Sequence, residues 1–130
     1  MHSHAESTFP NECCGFFYGS DQTVRNVTLA VPVENSKEGD QRRRFEISAF
    51  DYMQAEKFAN ENDLTLLGIY HSHPNHPARP SEHDLKQAVP FFSYIIVSVM
   101  NGKVADTTSW QLNDELKFVE EKIENEIVTK

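Results

Sequence analysis

The residues of this chain best suited to chemistry lie in one stretch, "GIYHSHPNHPARPSEHD", residues 68–84. It carries His71 and His73, two apart, followed by Ser81 and Asp84, three apart. If the apolar run from Leu64 to His71 is a strand that continues to His73, its period of two puts both imidazoles on one face and turns Ser72 away. Ser81 and Asp84 fall at the start of a predicted helix. The proline-rich loop before them can fold that first turn back over the histidines, so Asp84 can supply a third ligand. Two histidines and a carboxylate form the donor set of a catalytic zinc, which keeps a fourth position open for water and lowers the pKa of that water to around 7. A hydrolase also needs a base beside the water, and the HExxH motif that often provides one is absent. Glu12, immediately before the first predicted strand, is the candidate.

Each of these features has a plainer explanation when taken alone. Ser81-x-x-Asp84 is also the pattern of a capping box, and Ser81 can serve both purposes. His-Ser-His occurs a second time at His2-Ser3-His4, with no strand before it and no aspartate placed after it, and is read as carrying no metal. His76 and His83 are read as loop and helix-surface residues. Cys14 alternates onto the face of Glu12 but is better explained as a small buried side chain. Trp110, Phe16 and Phe17 are assigned to the core.

The elements that must position these groups follow from periodicity and turn signals. His2–Phe9 is expected to be a short helix ending at Pro10. Cys13–Tyr18 is a buried strand, and residues 24–33 form a second, with Pro32 placing it at an edge or at its end. Residues 35–43 are a polar loop, and Phe45-Glu46-Ile47 is expected to be a short strand. Ser48 caps a helix over Ala49–Asn62 whose apolar stripe is Phe50, Met53, Ala55 and Phe58. A central strand over 64–71 leads into the histidines. The helix opened by Ser81 is expected to run to about Val89, closed by Pro90. Residues 93–100 and about 103–112 form a hairpin about Asn101-Gly102. Beyond it Leu112, Leu116, Val119, Ile123 and Ile127 recur at helical spacing, so periodicity favours a terminal helix.

Composition narrows the function classes. The 130 residues suit one domain, 1–130, with 38% apolar and 25% charged residues. A formal charge of −8 and a pI near 5.1 give no positive field for a nucleic acid, and the run Arg42-Arg43-Arg44 is too local to reverse this. That run could meet an acidic partner, or it could be a solvated loop end. No apolar stretch has the roughly 18–20 residues of a membrane span, and the N-terminus does not read as a secretory signal. Adjacent Cys13 and Cys14 are unsuited to an ordinary disulfide, which fits a reducing compartment, so the protein is expected to be cytoplasmic.

With Glu12, His71, Ser72, His73, Ser81 and Asp84 on the page, the chain resembles the JAMM (MPN+) zinc metalloproteases, whose signature these residues meet without a gap. "PNECCGFFYG", "SYIIVSV" and "SWQL" extend the resemblance to the stand-alone bacterial Mec-like branch, over nearly the whole chain. The resemblance implies an α/β domain of the α+β type, with a curved mixed, largely antiparallel sheet flanked by helices. It implies one Zn2+ per chain on His71, His73 and Asp84, with Glu12 as general acid/base and Ser81 as oxyanion donor. It also implies a substrate, the C-terminal glycines of a ubiquitin-like sulfur-carrier protein, and it leaves room for a homodimer. In the family the region after "SWQL" often continues as a short strand, against the helical periodicity of 113–128. Two alternatives stay open: a zinc hydrolase acting on ubiquitin-like tags or small amides, and a non-catalytic MPN scaffold, against which the intact ligand set argues.

Overall fold

In a computed structural model, which describes residues 1–42 and 44–124, three helices and six strands follow one another as α1 (His2–Thr8), β1 (Cys14–Asp21), β2 (Arg25–Val33), α2 (Ala49–Glu61), β3 (Thr65–Pro74), α3 (Glu82–Gln87), β4 (Ser93–Met100), β5 (Lys103–Leu112) and β6 (Phe118–Glu121). The strands form one sheet ordered β2-β1-β3-β4-β5-β6. Every neighbouring pair is antiparallel except β3 with β4, so the expected mixed, largely antiparallel sheet is present. The connection from β3 to β4 runs through α3, as a parallel crossover requires. It is this crossover that returns Asp84 to the histidines at the end of β3.

Alternation along the strands divides the core into two layers. Cys14, Phe16, Tyr18, Ile69 and Tyr94 face α2, together with Phe45, Ala55 and Ala59. Phe17, Leu67, Tyr70, Val97 and Val99 face the other way, with Ala5 of α1 packed on them. The central strand β3 is buried on both faces, which explains its unbroken apolar run. At Gly68 the close approach to β4 leaves no room for a side chain: a Cβ there would lie 1.8 Å from the carbonyl oxygen of Ser93. Pro32 sits within β2, at the edge of the sheet, where a missing N–H costs no ladder bond. Asn101 and Gly102, with φ of 52° and 85°, make the expected tight hairpin turn.

Five expectations need correction. Phe45–Ile47 is not a strand: the Asn35 side chain accepts from Glu46 N (3.1 Å) and so replaces a strand partner. On α2 the buried face is Ala55 and Ala59, flanked by half-buried Tyr52, while Phe50 and Met53 are 62% and 59% exposed. Two alanines let the helix lie close to the sheet, and this narrows its apolar stripe. Helix α3 stops at Gln87, with Ala88 already extended, ahead of the stretch that Pro90 biases away from helix. The terminal helix is replaced by β6. Asn113 Oδ1 accepts from Glu115 N and Lys117 N, turning the chain so that Phe118 packs edge-on against Tyr94 and the following residues pair with β5. Ile127 and Arg43 lie outside the described residues. Trp110, assigned to the core, is only half-buried.

Candidate metal centre

His71 and His73 lie on the same face of β3, as period two requires, and both are buried. Ser72 points to the opposite face. There its Oγ accepts from the Cys13 amide (2.8 Å), while its own amide donates to Cys13 O (3.2 Å). This pair of bonds extends the β1–β3 pairing one residue beyond Cys14 opposite His71 and delivers Glu12 to the histidine side. Asp84 arrives from the first turn of α3. Ser81 is the N-cap, and the full capping box is present: Asp84 N donates to Ser81 Oγ (3.1 Å) and Ser81 N to Asp84 Oδ2 (2.9 Å).

Three atoms then converge. His71 Nε2 and His73 Nε2 are 3.1 Å apart, and Asp84 Oδ2 lies 3.3 Å from the first and 3.1 Å from the second. Ligands about 2.0–2.1 Å from a tetrahedral zinc stand about 3.3 Å from one another, so this triangle has the size of one face of that tetrahedron. A wider triad of Glu12, His71 and His73 also has ligand atoms within 4.8 Å of one another and could hold a metal. The tighter spacing favours Asp84 over Glu12 as the third donor and leaves Glu12 beside the site.

Counting protons also points to a cation. His73 Nδ1 lies 2.9 Å from the carbonyl oxygen of Pro77, which can only accept, so Nδ1 carries the hydrogen and neutral His73 presents a lone pair at Nε2. Asp84 presents lone pairs as well. His71 can place at most one proton among the three atoms, and its Nδ1 has no hydrogen-bond partner. A buried cluster of acceptors short of donors is a site for a positive ion.

The electrostatics divide the two carboxyls. Burial would push Asp84 up, but the neighbouring His71, its bond to Asp84 and the Ser81 amide hold it well below the usual carboxylate range. Burial, with the Asp84 charge second, pushes Glu12 up to about 9. Burial also lowers His71, against the opposing pull of Asp84, so its imidazole is neutral and able to donate a lone pair. Glu12 Oε1 has no partner. Glu12 also lines a cavity of about 320 Å³, together with Asn11, Asn35 and Gln41.

None of the remaining histidines bonds to the atoms of this centre. His2 bonds Thr107 and His4 bonds Tyr70, both on α1, while His76 is exposed in its loop and His83 pairs with Gln87. Cys14 is fully buried and its Sγ donates to Val33 O (3.6 Å). Sequence reasoning missed two contributors. Phe45 stacks on His71, ring centroids 4.5 Å apart and planes at 27°, and Asn35 holds the loop that carries it. A single aromatic beside a polar loop, and an asparagine two residues past the end of an edge strand, were the available signals.

Among the described residues, no helix is long and apolar enough to cross a membrane. Comparison with known proteins adds four similarities. The family model described as prokaryotic homologs of the JAB domain matches residues 1–113. The probable TtuB-protein conjugate cleaving protease of Thermus thermophilus is 46% identical over 94 residues, 72% of this chain and 60% of that one. The CysO-cysteine peptidase of Mycobacterium bovis is 27% identical over 118 residues, 88% of this chain and 77% of that one. In three dimensions, the solution structure of a protein from Desulfitobacterium hafniense superposes with a TM-score of 0.80 at 32% identity, covering 94% of this chain and 83% of that one.

Proposed function

The chain belongs to the family of prokaryotic JAB-domain homologs, and we propose from that membership that it is a zinc peptidase hydrolysing the bond after the C-terminal glycines of a ubiquitin-like sulfur-carrier protein. The observation that carries this reading is the convergence of His71, His73 and Asp84 at 3.1–3.3 Å with Glu12 beside them. The relatives support the substrate class, one being named for cleaving TtuB conjugates and the other for CysO-cysteine. The product released is then an amino acid, a short extension or a conjugated amine.

His71, His73 and Asp84 would hold the zinc. Zinc in that position supplies a Lewis acid to the scissile carbonyl and makes water more acidic. Burial alone would keep Glu12 protonated; with a cation beside it favouring the charged form, Glu12 takes the proton of the attacking water and returns it to the leaving amine. The Ser81 hydroxyl, whose oxygen already accepts from Asp84 N, keeps its hydrogen to donate where negative charge develops on the carbonyl oxygen. Pro77 O fixes the ring of His73 through Nδ1.

The test is to incubate the zinc-loaded protein and its Glu12→Gln variant with sulfur carriers bearing C-terminal extensions and to follow product masses. The wild type is expected to cut after the terminal glycines and the variant to do so on the order of 100- to 10,000-fold more slowly. Equal cleavage by both would remove Glu12 from the mechanism. Retention of near-stoichiometric zinc by His71→Ala would remove that residue from the ligand set.

A further inference from the structure

We infer that Asn35 is a positioning residue for the reaction, acting through the main chain of Glu12; the inference rests on the peptidase reading, since it concerns Glu12 as the base. Regular pairing of β1 with β3 begins at Cys14 opposite His71, and Ser72 ties Cys13 to β3 on both of its backbone groups. One residue earlier, at Glu12, the partners change. The Glu12 amide donates to Gln41 O (2.6 Å), and Glu12 O accepts from Asn35 Nδ2 (3.2 Å). Both polar groups of this backbone unit are therefore held by the 35–46 loop and not by the sheet.

Asn35 is the hub of that loop. Its Nδ2 also donates to Arg44 O (3.1 Å), and its Oδ1 accepts from Lys37 N (3.0 Å) and Glu46 N (3.1 Å). With both ends of the amide occupied, one side chain sets the loop's curvature and ties it to Glu12. Gln41, whose carbonyl receives the Glu12 amide, is locked in turn by its Nε2, which donates to Asn35 O (3.1 Å) and Lys37 O (2.9 Å). The same loop ends in Phe45 against His71. A loop of polar residues thus fixes the base on one side and braces a candidate zinc ligand on the other. Displacement of a reacting group by about 1 Å can cost on the order of 100-fold in rate.

Asn35→Asp is the discriminating substitution. It keeps the shape and both acceptor bonds, but removes the donor to Glu12 O and Arg44 O and sets an oxygen against those two carbonyls. In the zinc-loaded protein kcat is expected to fall on the order of 10- to 100-fold with KM unchanged. The Glu12→Gln, Asn35→Asp double variant should be no slower than Glu12→Gln alone, because a residue acting through Glu12 has nothing left to position. In the metal-free protein, hydrogen exchange at the Glu12 amide should accelerate relative to wild type. Wild-type kcat in Asn35→Asp, losses that multiply in the double variant, or unchanged exchange at Glu12 would each overturn the inference. If Asn35→Asp does not fold, Gln41→Ala, which frees the carbonyl partner of Glu12, carries the same measurements. A wild type that cleaves no carrier overturns the peptidase reading instead, and exchange at Glu12 then decides the role of Asn35 by itself.

Discussion

The ring of Phe45 lies flat on the imidazole of His71, centroids 4.5 Å apart. Phe45 is buried and belongs to no strand or helix, so the contact joins a loop to the floor of the candidate metal centre. His71 Nδ1 has no hydrogen-bond partner, so on that side of the ring packing alone fixes its orientation.

Phe45→Ala is therefore expected to act twice. Loss of a buried phenylalanine costs about 3–5 kcal/mol, seen as a lower Tm of the metal-free protein. Freeing the ring of a ligand should also weaken zinc binding about 10-fold, as loss of an orienting neighbour generally does. Competition with a chromophoric chelator reads the second effect. A lowered Tm with unchanged zinc affinity would make Phe45 a core residue and nothing more.

Ser72→Ala isolates the clasp between β3 and Cys13. The buried Cys13 amide loses its acceptor at 2.8 Å, and an unsatisfied buried donor costs about 1–3 kcal/mol. The urea midpoint should fall accordingly, with no change in the slope of the transition. An unchanged midpoint would mean that another group takes over the bond.

How much of this was legible in the sequence depended on whether period or tertiary contact decided the outcome. The placement of His71 and His73 on one face follows from strand alternation, and the hairpin at Asn101-Gly102 follows from turn chemistry. Both are present. The relation of Asp84 to the histidines needed the crossover through α3, which the proline-rich loop only suggested. The end of the chain shows the converse: Leu116 and Val119 fit a helical stripe, yet the turn that Asn113 closes and the free edge of β5 draw Phe118–Glu121 into the sheet. On α2, Phe50 and Met53 are apolar but exposed, because alanines made the closer contact. Phe45 and Asn35 were hidden for a related reason: their importance lies in contacts to Glu12 and His71, distant in sequence.

Ser81 caps α3 and is the proposed oxyanion donor, and substitution can separate the two. Ser81→Ala removes the cap and should cost about 1 kcal/mol, whereas Ser81→Asn keeps an acceptor for the Asp84 amide and should cost little. If the hydroxyl also serves the developing oxyanion, Ser81→Ala, which has no hydrogen to donate, should lose on the order of 100-fold in kcat, while Ser81→Asn, whose amide can donate, should keep more of it. Wild-type turnover in Ser81→Ala would reduce Ser81 to a helix cap.

The final prediction concerns pH and the metal-free protein. Glu12 has its carboxyl raised from an ordinary 4.5 to about 9, by burial first and the Asp84 charge second. The folded state therefore holds this proton more tightly than the unfolded state does. The resulting stabilisation is complete below pH about 4.5, where Glu12 is protonated in both states. It declines as pH rises, because the unfolded chain releases the proton first, and it is gone once the folded carboxyl ionises near pH 9. Asp84, held low, works in the opposite direction, with stability lost as pH falls, but it is common to wild type and Glu12→Gln and largely cancels between them. In excess chelator the advantage of Glu12→Gln over wild type in urea midpoint should thus widen from pH 5 to pH 9. Adding zinc should narrow it again, because a cation beside the carboxylate favours its charged form. Parallel stability curves for the two proteins in chelator would show that the carboxyl is hydrated, and that burial does not hold Glu12 protonated.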